Sequence, residues 1–153
     1  MEQLQFEVKI NADAEVVSNK MLSKDTYEQW TALFHPGSTY EGSWSKGSKI
    51  YFLGPAENGR RQGMVARISE NIPGRLITIS HMGFVDGEEE ITTGPAVEGW
   101  AGGIEEYSFD MQDGITTVQV RVDVTDDHKA YFKKTWPLAL DKLKTICEHP
   151  DAT

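Results

Sequence analysis

Cysteine is nearly absent from this chain of 153 residues, which has Cys147 alone. A single thiol excludes an intrachain disulfide and every metal motif that needs two cysteines. No pair among the four histidines has metal-ligand spacing such as His-x-x-x-His. The sequence also lacks a Gly-x-Ser-x-Gly elbow, a Walker loop and a Gly-x-Gly-x-x-Gly turn after a strand. We therefore expect no metal, no cofactor and no nucleophilic catalytic residue.

Long hydrophobic runs and positive charge are also scarce. No segment approaches the ~18 consecutive apolar residues of a membrane-spanning helix. Lysine and arginine number 15 against 24 acidic residues, which gives a net charge of -9. A field of this sign opposes phosphate groups, so neither nucleic acid nor an anionic membrane is expected as a partner. The opening MEQLQFEVKI is charged, unlike the apolar core of a signal peptide, and we expect a cytoplasmic protein.

Alternation of apolar and polar residues is the dominant pattern. QLQFEVKI, at residues 3–10, predicts a half-buried strand. Six further strands are predicted between residues 38 and 125, and the last two are joined by the hairpin turn Asp113-Gly114. One wet face and one apolar face indicate an antiparallel sheet. The acidic segment VDGEEEITTGPAVEG, at residues 85–99, is interpreted as a solvated loop.

Helical patterns occur after the first strand and at the end of the chain. A short helix capped by Asn11 or Asp13 is predicted first, and a second runs from about Asp25 to Phe34, where His-Pro-Gly ends it. Residues 127–149 predict a long helix that contains Pro137. The residues that share its apolar arc are Phe132, Trp136, Ala139, Leu140, Leu143, Ile146 and Cys147.

The order of these elements predicts an α+β fold. A curved antiparallel sheet of about seven strands has one concave apolar face, and only the last helix is long enough to cover it. No linker or internal repeat interrupts the pattern, so we expect one domain over residues 1–153.

Four segments carry a resemblance to a known family. They are FEVKINADAEVV, YEQWTALFHPGSTYEGSWSKGSKIYF, EGW at 98–100 and YFKKTWPLALDKLK. With these residues the chain resembles the START-like (SRPBCC) superfamily, and within it proteins similar to the C-terminal domain of the heat-shock-protein-90 ATPase activator. The resemblance implies the helix-grip fold, in which a sheet wraps a long helix around a cavity. It also implies either binding of lipids, sterols or polyketides, cyclase activity, or association with a chaperone.

Aromatic residues are concentrated in YEQWTALFHPGSTYEGSW, residues 27–44, which has five rings in eighteen residues. These rings are either core or one wall of a ligand pocket, and core packing alone would explain them. Trp30, Phe34 and Trp44 are the rings expected to have a pocket-facing side. Tyr27 and Tyr40 are expected at the periphery.

Glu105 is the candidate polar group of such a pocket. Period-two counting along GIEEYSFDM puts it on the face of Tyr107, Phe109 and Met111. An inward carboxylate would need Arg, Lys, His or Tyr nearby, whereas a bulge at the preceding glycines would leave it at the rim. His81 is a second candidate, on a strand whose inward face the pattern leaves open.

Three functions remain open at this point. The first is non-catalytic binding of a small hydrophobic or amphipathic ligand in a cavity between the sheet and the C-terminal helix. The expected lining is Trp30, Phe34, Trp44, Phe52, Met64, His81, Trp100, Glu105, Tyr107, Phe109, Trp136 and Leu140. The second is a chaperone-associated interaction module, as the resemblance implies. The third is a cyclase or hydrolase that uses Glu105 or His81, although the sequence shows no catalytic pair.

The oligomeric state is also open. Tyr131 and Leu138 fall on the polar side of the last helix. They are either isolated exposed groups, which are common on soluble proteins, or part of a dimer contact. The chain is therefore expected as a monomer or a homodimer.

Overall fold

In the part of the chain that the structure describes, the alternating segments form seven strands, an eighth strand lies in the acidic segment, and the predicted helical segments form three α-helices. The computed structural model describes residues 2–55, 60, 62–95 and 97–149. In chain order the elements are β1 (Glu2–Ile10), α1 (Ala14–Leu22), α2 (Lys24–Trp30), β2 (Thr39–Gly42), β3 (Lys49–Leu53), β4 (Gln62–Ile72), β5 (Leu76–Asp86), β6 (Glu89–Ile91), β7 (Ile104–Gln112), β8 (Ile115–Val124) and α3 (Asp126–Glu148).

All strand pairs are antiparallel and belong to one open sheet. The strand order is β1-β8-β7-β5-β4-β3-β2, and β6 pairs with β5 outside this path. Along β8, Val118, Val120, Val122 and Val124 are buried, while Gln119 and Arg121 between them are exposed. The hydrophobic effect thus selects one face of the sheet as the core side.

The long helix α3 covers that apolar face. Trp136, Leu140 and Leu143 are each at most 3% exposed, and they belong to the same core cluster as the inward residues of the sheet. Pro137 lies inside α3 on the exposed side. Across the described part of the chain, no helix combines the length and apolar character that a bilayer crossing requires. The α+β fold, a sheet gripping a C-terminal helix, is confirmed.

The acidic segment at 85–99 differs from its prediction as a loop. Glu89–Ile91 forms the short strand β6, which pairs with Phe84–Asp86 of β5. The Glu90 carboxylate accepts hydrogen bonds from Lys49 Nζ at 2.8 Å and from Tyr51 Oη at 2.6 Å. Glutamate has low strand propensity, and partners forty residues away leave no local pattern, so the sequence did not indicate this eighth strand.

The end of α2 also differs from the predicted helix, which ran to Phe34. The α-helix ends at Trp30, and Thr31–Leu33 continue it as a tighter 3-10 turn. Such turns are frequent at helix ends. The chain then reverses at Gly37, whose φ of 90° is in the left-handed region that glycine adopts without strain.

Cys147 provides a test of the packing beneath α3. Its side chain is 6% exposed, and burial raises the pKa of the thiol to about 11. Because the thiolate is the reactive form, we expect the native protein at pH 8 to react with a disulfide reagent on the order of a hundredfold more slowly than the denatured chain. Stopped-flow absorbance measures both rates. Equal rates in native and denatured protein would show that the thiol is not buried.

Candidate functional site

A cavity of about 300 Å³, partly open to solvent, lies between the sheet and the N-terminal half of α3. Its walls come from α2 and the turn after it, from β3, β4 and β7, and from α3. Eight of the sixteen described lining residues are aromatic, namely Tyr27, Trp30, Phe34, Phe52, Tyr107, Tyr131, Phe132 and Trp136. The others are Thr31, His35, Ser38, Leu53, Gly54, Gly63, Met64 and Glu105.

The tryptophans of the wall also belong to the core. Trp30 is 1% exposed, and its Nε1 donates a hydrogen bond to the Met21 carbonyl oxygen at 3.0 Å. The Trp136 ring lies 5.8 Å from Trp30 and 4.9 Å from Phe34 between centroids, the latter edge to face. Trp30, Phe34 and Trp136 therefore pack against one another in the core and at the same time form part of the cavity wall.

Glu105 has the only carboxylate among the described lining residues. On β7 it pairs with Ile79 of β5 and Val122 of β8, both buried, and its side chain therefore points into the interior. Tyr107 donates its hydroxyl to Oε2, and His81 Nε2 lies 3.1 Å from Oε1. Since a carboxylate accepts only, His81 carries its proton on Nε2.

His81 stands behind Glu105 rather than at the cavity surface. It follows Ile77 and Ile79 on the inward face of β5, and it is 8% exposed. Its ring packs 6.1 Å from Phe52 and 5.7 Å from Trp100 between centroids. The second ring nitrogen, Nδ1, is buried and has no hydrogen-bond partner within the described residues.

The electrostatics of the wall favour neutral phenols. Burial, and after it the negative charge of Glu105, raises the pKa of Tyr27 and of Tyr107 well above the usual value for tyrosine. No lysine or arginine is found among the sixteen described lining residues. The same described ranges contain no group of three or more His, Cys, Asp or Glu that could hold a metal ion.

Seven of the twelve expected lining residues surround this cavity, and five lie elsewhere in the described structure. Those at the cavity are Trp30, Phe34, Phe52, Met64, Glu105, Tyr107 and Trp136. Those elsewhere are Trp44, His81, Trp100, Phe109 and Leu140. Whether the first group contacts a ligand stays a prediction.

Packing explains the five residues outside the lining. Trp44 lies behind Tyr27 and Phe52, and its Nε1 donates to the Leu22 carbonyl oxygen at 3.0 Å. Trp100 stacks on Phe84 at 4.6 Å and leans over His81. Phe109 and Leu140 are 5% and 2% exposed in the closed part of the core.

Nine of the sixteen described lining residues were not expected from the sequence, and three of these nine are aromatic, namely Tyr27, Tyr131 and Phe132. Tyr27 was expected at the periphery but is 7% exposed and lines the cavity. It shares a helical stripe with Trp30, Thr31 and Phe34, a signal that could have identified it. Tyr131 and Phe132 lie at the start of α3, and the Tyr131 hydroxyl donates to the Phe34 carbonyl oxygen. This bond gives the half-exposed Tyr131 a role at the cavity mouth.

Comparison with known proteins supports the fold. No family model and no curated protein matches the chain. The Aha1 dimer from Colwellia psychrerythraea is 19% identical with a TM-score of 0.71, over 99% of this chain and 100% of that one. The AHSA1-like protein from Aeromonas hydrophila is 16% identical with a TM-score of 0.71, over 97% and 94% of the two chains.

A third solved structure extends the likeness. CalU16 from Micromonospora echinospora is 15% identical with a TM-score of 0.67, over 99% of this chain and 76% of that one. At these identities the matches show the fold alone. They confirm the helix-grip fold that the sequence resemblance implied.

Tyrosine ionisation tests the electrostatics of the cavity. Because the pKa values of Tyr27 and Tyr107 are raised in the folded state, both phenols bind their protons more tightly there than in the unfolded chain. Their contribution to stability is fully present below the unfolded pKa of about 10 and is lost as pH rises above it. Above that pH, the free energy of unfolding should fall by about 1.4 kcal/mol per pH unit for each of the two tyrosines.

The matching measurement is absorbance at alkaline pH. In the folded protein, Tyr27→Phe should leave the tyrosinate signal between pH 9 and 11 unchanged, because Tyr27 does not ionise there. A loss of amplitude equal to one tyrosine would contradict its burial in the cavity wall.

Proposed function

We propose that this protein is a non-catalytic binding domain that holds a small hydrophobic or amphipathic molecule in the cavity between the sheet and α3. The observation that carries the proposal is the cavity itself, about 300 Å³ in volume and walled by eight aromatic residues around one described carboxylate. Ligand sites are typically concave, mainly apolar, and lined with a few polar groups that fix orientation.

The volume limits the size of the ligand. Ligand pockets span roughly 300 to 1,000 Å³, and an engineered apolar cavity of roughly 150 Å³ in another protein holds benzene. A cavity of about 300 Å³ therefore suits a molecule of one or two rings. A sterol or a long acyl chain would require the walls to move apart.

A cyclase or hydrolase is the second candidate, because Glu105 lines the cavity with His81 in contact behind it. A carboxylate with a histidine partner has the composition of an acid–base pair. His81 is not among the lining residues, so any proton exchange with a ligand would pass through Glu105. The chaperone-interaction alternative rests on the resemblance, and a pull-down with the full chain tests it.

Ligand binding is tested with a panel of one-ring and two-ring compounds, neutral and charged, with palmitate as an oversized control. We expect saturable binding that shifts the amide signals of the cavity walls in NMR spectra. Intrinsic fluorescence should change as well, because Trp30 and Trp136 line the cavity. The absence of saturable binding by every compound would contradict the proposal.

A blocking substitution locates the site. Ser38 lines the cavity, and a phenylalanine at this position would project into its volume. We expect Ser38→Phe to weaken binding by at least about tenfold, the loss of roughly 1.4 kcal/mol. Ser43→Phe is the matched control, because Ser43 is exposed and outside the lining. Equal affinities in the two variants would place the bound molecule elsewhere.

A further inference from the structure

The polar groups of the cavity point to one chemical class of ligand. We propose that the cavity takes a small organic cation, an aromatic or alkyl ammonium whose charge lies against Glu105 and the surrounding ring faces. The inference rests on the proposed ligand-binding function and specifies its ligand.

Glu105 retains unused acceptor capacity toward the cavity. A carboxylate offers about four lone-pair positions, and the bonds from Tyr107 and His81 occupy one on each oxygen. The side chain is 17% exposed and lines the cavity. A ligand that donates a hydrogen bond, above all a charged one, can use the remaining positions.

Several donors of the lining are already committed within the protein. Thr31 donates its hydroxyl to the Tyr27 carbonyl oxygen at 2.6 Å, and Ser38 donates to that of His35 at 2.6 Å. Tyr131 donates to a backbone carbonyl, and Tyr107 donates to the carboxylate. The Trp136 indole nitrogen is buried and has no partner among the described residues. The hydroxyls of Thr31, Ser38, Tyr107 and Tyr131 are therefore not free to bind a ligand anion.

No lysine or arginine is found among the described residues that line the cavity with Glu105. His35, at the exposed mouth, donates from Nδ1 to the Pro36 carbonyl oxygen at 3.2 Å. A second proton on His81 would place a charged N–H at Nδ1, which is buried without an acceptor in the described structure. The Nε2–H tautomer of His81, which donates to Glu105, therefore fits this site.

The ring faces add a second attraction for a cation. Five buried rings line the cavity together with Glu105, namely Tyr27, Trp30, Phe52, Tyr107 and Trp136. The quadrupole of an aromatic ring attracts a cation within about 6 Å of its centroid, and the attraction grows when water is excluded. An ammonium in this cavity would also have a carboxylate partner, which offsets the loss of its hydration.

The test uses three size-matched probes with the full chain: benzylammonium, benzyl alcohol and benzoate. Chemical-shift titration gives the three dissociation constants at one pH and one ionic strength. A charge-assisted hydrogen bond contributes about 1.5 to 3 kcal/mol, so the ammonium should bind about tenfold to a hundredfold more tightly than the alcohol. Benzoate should bind most weakly.

The carboxylate is tested by a matched pair of variants. Glu105→Gln should reduce the preference for ammonium over alcohol to less than about threefold, since only the charge is removed. Glu106→Gln should preserve the preference. Glu106 is the next residue of β7, and its carboxylate accepts from Thr78 at 2.9 Å and lies 3.6 Å from Arg121. Thermal denaturation establishes that both variants are folded.

The outcomes separate this inference from the proposed function. If the alcohol binds saturably and the ammonium binds no more tightly, the cation inference is overturned while ligand binding stands. A preference that survives Glu105→Gln overturns the role of the carboxylate. If no probe binds, the cation inference fails, and the panel of one-ring and two-ring compounds decides the ligand-binding proposal separately. Should Glu105→Gln not fold, the ranking of the three probes on the unmodified chain still decides the ligand class.

Discussion

The packing of Trp136 is the interaction on which both the fold and the cavity depend. Its indole contacts Phe6 of β1, Trp30 of α2, Phe34 after the turn and Tyr107 of β7, with centroid distances between 4.9 and 6.1 Å. One side chain of α3 therefore joins the helix to one edge of the sheet, to its middle and to the short helices. Large planar rings have few rotamers and cannot rearrange to fill every gap, so space is left where they meet.

The two halves of α3 have different tasks because of where these rings stand. Toward the C-terminal end, Ala139, Leu140, Leu143 and Cys147 are buried and fill the interior. The Glu148 carboxylate accepts the Asn11 backbone N–H at 2.8 Å and fastens this end to the chain after β1. The N-terminal half presents rings to the cavity. The filled interior under the C-terminal half of α3 stabilises the fold, so the cavity under the N-terminal half can be present without loss of the fold.

Local patterns predicted which faces are buried, but they could not predict where the buried interior is empty. Alternation in β8 and the apolar arc of α3 follow from periods of two and 3.6 residues, which short windows of sequence reveal. Period-two counting allowed an inward Glu105 but left a rim position open, and the contacts of its carboxylate with His81 and Tyr107 agree with the inward alternative. Tyr27 was expected at the periphery but lines the cavity, whereas Trp44 was expected at the cavity but lies behind Tyr27. Which of two neighbouring rings faces the cavity depends on how α2 packs on the sheet, and local sequence does not reveal this.

Stability alone does not account for Glu105. Replacing a buried ionic group by an apolar side chain of similar volume is often neutral or stabilising, whereas leaving part of a polar network unsatisfied has a cost. The network of Glu105, His81 and Tyr107 is only partly satisfied, since Nδ1 of His81 has no partner among the described residues. Ile79 and Val122 beside Glu105 on the same face show that the position is suited to an apolar residue. A carboxylate at that position, facing a cavity with aromatic walls, is a feature that the proposed ligand binding would explain and that the packing of the sheet does not require.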